Sequence, residues 1–241
     1  MQHIRECYLK HTNQCGGKLS NEHIISKSVI KASSLESIWI PTAKGPKKRH
    51  WSSFQAKILC EKHNSNFGNC DNEAGRLMSF LTQKDNTEIT LSGSLIEIWA
   101  AKTIANFFYG GFLPKIINTS ENLVISQNIL NILSNKISGI DYGLCATMHH
   151  ENSELIPCNT IEFNFISHDN VIYGSRVTLE SFSADFIFSN KISMSDDFQL
   201  EHDLRPSSWK IREDNHERRI NFTWSSIFHS KSTVISTVYK K

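Results

Sequence analysis

Long uninterrupted apolar stretches are missing from this chain, as are internal repeats and low-complexity tracts. The most hydrophobic segment, Leu95 to Leu113, is broken by Glu97, Lys102 and Asn106, so no segment reads as a membrane span. The opening residues, Met1 to Cys7, lack the apolar core of an export signal. Together these absences predict a cytoplasmic protein with no membrane partner. A strong charge of one sign is missing too: the formal net charge is +2 over 241 residues. That sum hides an asymmetry. Residues 1–84 hold 13 Lys/Arg against 6 Asp/Glu, a net of +7, whereas residues 85–241 hold 13 against 18, a net of −5. Polyanion affinity is expected at the front.

What is present is a folded composition, 39% hydrophobic and 10% aromatic, on a length that suits one or two domains. Two are expected. Residues 1–84 are polar and rich in turn signals such as Gly16-Gly17 and Asn66-Phe67-Gly68-Asn69, so the core available there is thin and calls for a staple. Within it, His23 to Ile30 and Ala56 to Cys60 read as strands or strand ends. Asp71 to Leu81 reads as a helix, with Ala74, Leu77, Met78 and Leu81 at helical spacing. Thr82 to Leu91 is expected to be a linker. Beyond it, Ser92 to Tyr109 predicts a largely buried helix and Ser120 to Ile137 a second one. The period then shifts toward two: Thr160 to Ser167, a turn at His168-Asp169-Asn170, Val171 to Leu179, Phe182 to Ser189 and Ile220 to Trp224 read as strands. The expected fold class is α+β, with residues 85–241 forming two helices against an antiparallel sheet.

Six cysteines in a reducing compartment are expected to be thiols. Four of them, Cys7, Cys15, Cys60 and Cys70, lie in the first 70 residues beside His11, His23 and His63. Cys60 and His63 have the two-residue spacing that lets one turn present both groups to one ion, and Cys7 with Cys15 supplies a second pair. Thiolates and imidazole suit zinc, so Cys7, Cys15, Cys60 and His63 are the expected structural zinc ligands, with Cys70 or His11 as substitutes for one of them. The alternative is that Cys7 and Cys60 are simply a terminal and a buried thiol.

Between the two ligand pairs stands Glu22-His23. An imidazole beside a carboxylate can supply the base and the cation-binding group that phosphodiester hydrolysis needs. Neighbours in a regular strand point to opposite faces, so convergence requires a bend or strand end. Lys44-Gly45-Pro46-Lys47-Lys48-Arg49-His50-Trp51 concentrates cations and an aromatic on the segment between the two strands. Lys47, Lys48 and Arg49 are candidate phosphate contacts there, joined by Lys27 and more weakly by Lys31, with Trp51 able to stack or wedge. His149-His150 and Arg212 to Arg219 lack a second ligand pair and read as surface features, and Trp209 and Trp224 as packing residues.

The run LSNEHIISKSV followed by ILCEKHNSNFGNCDNEAG resembles the HNH endonuclease family over roughly residues 5–80. The resemblance implies a ββα-metal fold, with His23 as general base, Glu22 on a catalytic magnesium or manganese, and Asn64 completing that cation site. It implies DNA as substrate ahead of RNA, and restriction or phage defence as a setting. Asp71 is a further polar candidate at the helix edge. Two departures stand out: His63 stands where many relatives have a fourth cysteine, so that either His63 is the zinc ligand, the favoured reading, or it is itself catalytic and Cys70 closes the clamp; and from Ile24 to His63 there is no Asn, where the family carries a middle one. That absence keeps a second reading in view, a zinc-stapled module that binds nucleic acid or protein without cleaving. Residues 85–241 are expected to recognise a partner, self-associate or restrain cleavage.

Overall fold

A computed structural model describes residues 6–35, 37–40, 47–83, 85, 87–113, 123–135, 143–146, 161–179, 182–188, 203–213, 216–225 and 231–238. Among these the chain is mixed α and β, with five α-helices and several sheets. The front is built on an antiparallel pair, β1 (Leu19–His23) and β4 (Gln55–Cys60), in the register Leu19↔Cys60 and His23↔Gln55 with an irregularity between Ser20 and Glu22. Between these strands lie α1 (Lys27–Ser33) and a second antiparallel pair, β2 (Ser37–Ile40) with β3 (Lys47–His50). Strand β4 runs directly into α2 (Glu61–Asn66) and then α3 (Gly68–Thr82).

The stretch His23 to Ile30, expected as a strand, leaves extended structure at His23 and turns into α1 at Lys27. Its apolar residues Ile24, Ile25, Val29 and Ile30 are all buried, because a short helix packed against α3 covers them as well as a strand would. The two helices approach closely at Gly75, where a Cβ would stand 2.7 Å from that of Ser28.

The expected linker is partly strand. β5 (Glu88–Ser92), the edge of a four-stranded sheet ordered β14 (Thr233–Val238), β12 (Ser208–Glu213), β13 (His216–Thr223), β5, pairs in parallel with β13. β12 also runs parallel to β14 and antiparallel to β13. Next comes α4 (Gly93–Tyr109), the predicted buried helix. The second predicted helix is shorter: β6 (Val124–Ile125) precedes α5 (Gln127–Leu133), and residues 120–122 and 136–137 lie outside the described residues. A six-stranded sheet joins β6, β7 (Gly143–Ala146), β8 (Ile161–His168), β9 (Val171–Leu179), β10 (Phe182–Ile187) and β11 (Asp203–Leu204). Its β8–β9 turn holds Asp169 and Asn170 at φ 49° and 63°, the left-handed conformation that a tight hairpin demands. The sheets are mixed where an antiparallel one was expected, since β6 runs parallel to β9.

Helix α4 is buried nearly all round, and its three polar interruptions are each satisfied. Glu97 accepts from Arg205 and from the Leu144 amide, tying α4 to the six-stranded sheet. Lys102 and Asn106, one turn apart, reach the front of the chain instead. Arg218, expected on the surface, is buried: it donates to the carbonyls of Phe80 and Leu81, satisfying the otherwise unpaired end of α3. Trp209 is fully buried against Phe182, and Trp224 donates to the Pro206 carbonyl, so both pack as expected. His149 and His150 lie outside the described residues. No helix among the described residues is long and apolar enough to cross a membrane.

Candidate functional site

Cys7, Cys15, Cys60 and His63 come together, with all four ligand atoms within 4.8 Å of one another. The segment before β1 brings Cys7 and Cys15 to the junction where β4 becomes α2, which carries Cys60 and His63. The three sulfurs stand 3.3, 3.7 and 3.3 Å from His63 Nδ1, for Cys7, Cys15 and Cys60 in turn. A tetrahedral zinc with bonds of about 2.3 Å to sulfur and about 2.0–2.1 Å to nitrogen sets sulfur and nitrogen roughly 3.6 Å apart. The group therefore fits a metal ion such as zinc.

Its surroundings prepare each ligand. The Thr12 hydroxyl donates to the Leu9 carbonyl (2.8 Å), so it accepts from His63 Nε2 (3.1 Å), which leaves Nδ1 unprotonated and directed at the sulfurs. Burial, helped by Lys62 and His11, holds His63 below its ordinary range, in the neutral form a metal needs. Burial alone would raise Cys60, but the amides of His63 and Gly16 hold its thiol below the ordinary value. Burial pushes Cys7 up, and burial with the neighbouring Cys7 pushes Cys15 up to about 12. A bound dication reverses that repulsion among sulfurs. Gly17, at φ 73°, makes the turn that returns the chain from Cys15 to β1. The two substitute ligands lie elsewhere: Cys70 donates to the Phe67 carbonyl, and His11 is hydrogen-bonded to Ser134.

Glu22 and His23, adjacent at the end of β1, engage different partners. Glu22 is 4% exposed, and its Oε1 meets Lys102 Nζ at 2.7 Å and Asn106 Nδ2 at 3.4 Å. Lys102 also meets Asp71 Oδ2 at 2.7 Å. Burial pushes Glu22 up against the opposing pull of Lys102. Burial would lower Lys102, but the two carboxylates hold it above the ordinary lysine range. His23, half-buried, lies beside Gln55, whose amide nitrogen is 3.0 Å from Nε2, and its ring centroid is 5.4 Å from that of Trp51. Burial, then Lys27 and Lys102, lower its affinity for a proton below that of an ordinary imidazole.

Asn64 is half-buried on α2, and among the described residues no hydrogen bond joins its side chain to Glu22 or His23. Asp71 does reach Glu22, through Lys102. Of the basic candidates, Lys27 and Lys48 are exposed, as is Lys31, and Trp51 packs between His23 and His50. The side chains of Lys47 and Arg49, and all of Lys44 to Pro46, lie outside the described residues. A cleft of about 240 Å³ opens beside Thr12, His63, Asn69 and Ile98, and is lined by neither Glu22 nor His23.

Sequence reasoning missed Lys102, Asn106 and Gln55. Asn106 Nδ2 also lies 3.2 and 3.5 Å from the carbonyls of His23 and Ile24, while its Oδ1 accepts from the Tyr8 hydroxyl at 3.2 Å. The signal available for Lys102 and Asn106 was their i, i+4 placement inside an otherwise apolar helix, a placement that requires partners. No family model, curated protein or solved structure matches the chain.

Proposed function

We propose that this protein is a zinc-stapled phosphodiester hydrolase, an endonuclease of the HNH type acting on DNA. The observation that carries this reading is the placement of His23 at the end of β1, beside Gln55 and Trp51, on a strand pair whose second member runs into the helix of the Cys3His group. An unprotonated imidazole can accept a proton from water as the water oxygen bonds to phosphorus, while the bond from phosphorus to the 3′ oxygen breaks and the departing oxygen takes a proton from solvent. Gln55 orients the ring, Lys27 and Lys48 offer positive charge to the phosphates, and Trp51 offers a face to a base or sugar. Cys7, Cys15, Cys60 and His63 would hold a zinc ion that joins the segment before β1 to the junction of β4 and α2, a four-ligand structural role.

The expected magnesium or manganese at Glu22 does not fit the residues present, because a buried ammonium already occupies that carboxylate. The same contact favours the second reading, a zinc-stapled module that binds nucleic acid or protein without cleaving. Supercoiled plasmid incubated with zinc-loaded protein, in magnesium or in manganese, separates the two. Nicked or linear product from the wild type and none from His23→Ala supports cleavage. Intact plasmid that is nonetheless retarded in a gel supports the binding module, and equal cutting by both proteins removes the enzyme.

A further inference from the structure

We propose that Lys102 is the resident counter-ion of Glu22: its ammonium occupies the place at this carboxylate where a divalent cation was expected, and it excludes one. Lys102 is 1% exposed and Glu22 4%, so neither is open to bulk solvent. Nζ stands 2.7 Å from Glu22 Oε1 and 2.7 Å from Asp71 Oδ2, and 5.6 Å from the centre of the Phe67 ring. Every one of these contacts favours a cation.

A magnesium ion needs oxygens at about 2.0–2.1 Å in near-octahedral array and keeps several waters. At Glu22 it would share the carboxylate with an ammonium, in a buried setting where like charges repel strongly. Lys102 cannot swing away as a surface lysine would. It sits in the middle of α4, which packs on α3, α5 and the sheets. The second Glu22 contact, from Asn106 on the same helix, leaves the carboxylate held by a charge and an amide from one face. Glu22 is thereby a group that fixes the end of β1.

The role can be tested without any assay of cleavage. In zinc-loaded full-length protein, manganese binding is measured by the electron paramagnetic resonance signal of the free ion, for wild type, Glu22→Gln and Lys102→Arg. The expected result is equal manganese uptake by all three. Uptake by the wild type that Glu22→Gln abolishes would overturn the proposal. Thermal unfolding supplies the second readout. Lys102→Met, which strands two carboxylates, should melt lower by on the order of 10 °C, and Glu22→Gln added to it should recover part of that loss. If the double variant melts lower than Lys102→Met, the two residues are not a charge pair and the proposal fails. The manganese comparison between the wild type and Glu22→Gln stands even where Lys102→Met does not fold. Neither readout depends on whether the protein cuts DNA.

Discussion

The side-chain nitrogen of Asn106 lies 3.2 Å from the backbone carbonyl of His23, across 83 residues of sequence. Through this bond a helix outside the first third of the chain sets the position of the imidazole's own backbone. The same amide accepts from Tyr8, the residue after Cys7, so it links the Cys3His group to the end of β1. Replacing it with Leu, of similar size, leaves a buried phenol and buried carbonyls without a partner. Asn106→Leu should lose on the order of 2–4 kcal/mol of unfolding free energy, measured by urea titration of the zinc-loaded protein.

Residues 1–84 depend on α4 for the charge that balances Glu22 and Asp71. A 1–84 fragment supplied with zinc should therefore show no cooperative thermal transition by circular dichroism. A cooperative transition matching that of the full chain would mean that the front folds without α4.

Zinc should bind once, through all four ligands. Elemental analysis of purified protein is expected to give one zinc per chain, and Cys60→Ala or His63→Ala to lose it. Removing it with a chelator should lower the melting temperature by on the order of 10 °C. Because the thiols of Cys7 and Cys15 are raised, loading at neutral pH should release protons, which calorimetry in buffers of different ionisation enthalpy detects.

His23 is held below its ordinary value of 6.5. The folded protein thus takes up this proton at lower pH than the unfolded chain does. Any stability owed to neutral His23 is complete above about 6.5 and is lost as pH falls through the depressed value. A nitrogen-15 titration should place its midpoint under 6.5, and the acid limb of cleavage should fall at that midpoint. Gln55→Glu puts a carboxylate beside the ring and should raise both together.

Lys27 and Lys48 are proposed phosphate contacts. Substituting either with Ala should weaken binding of a labelled duplex in fluorescence anisotropy and reduce the dependence of log affinity on log salt by about one counterion. An unchanged salt slope would remove that residue from the contact.

Much of the candidate site was legible because its signals are local. Cys60 and His63 sit on one turn, and their spacing alone pairs them. The hairpin at Asp169-Asn170 shows in its turn residues and in alternation on both sides. Helix α4 shows in its apolar pattern. What stayed hidden is long-range. Lys102 and Asn106 look like flaws in an apolar run until Glu22 is seen beside them, and nothing in the periodicity of 95–113 names a partner 84 residues away. The same holds for β5: polar edge sequence such as Glu88 to Thr90 resembles a linker unless its neighbour β13 is known. Arg218 misleads for a related reason, since it sits in a charged run of sequence and yet donates to the carbonyls at the end of α3.

Strand β5 has a consequence for how the molecule is made. Its partner β13 arrives late: Ser94 and Ser225, which bond at the end of this pairing, are 131 residues apart. At a synthesis rate of about 5–20 residues per second, that gap keeps β5 waiting on the order of ten seconds after it leaves the ribosome. During that interval the nascent front carries its histidine and its thiols ahead of the sheet that α3 and α4 border, so a young chain and a finished one should differ in protease sensitivity at 83–92.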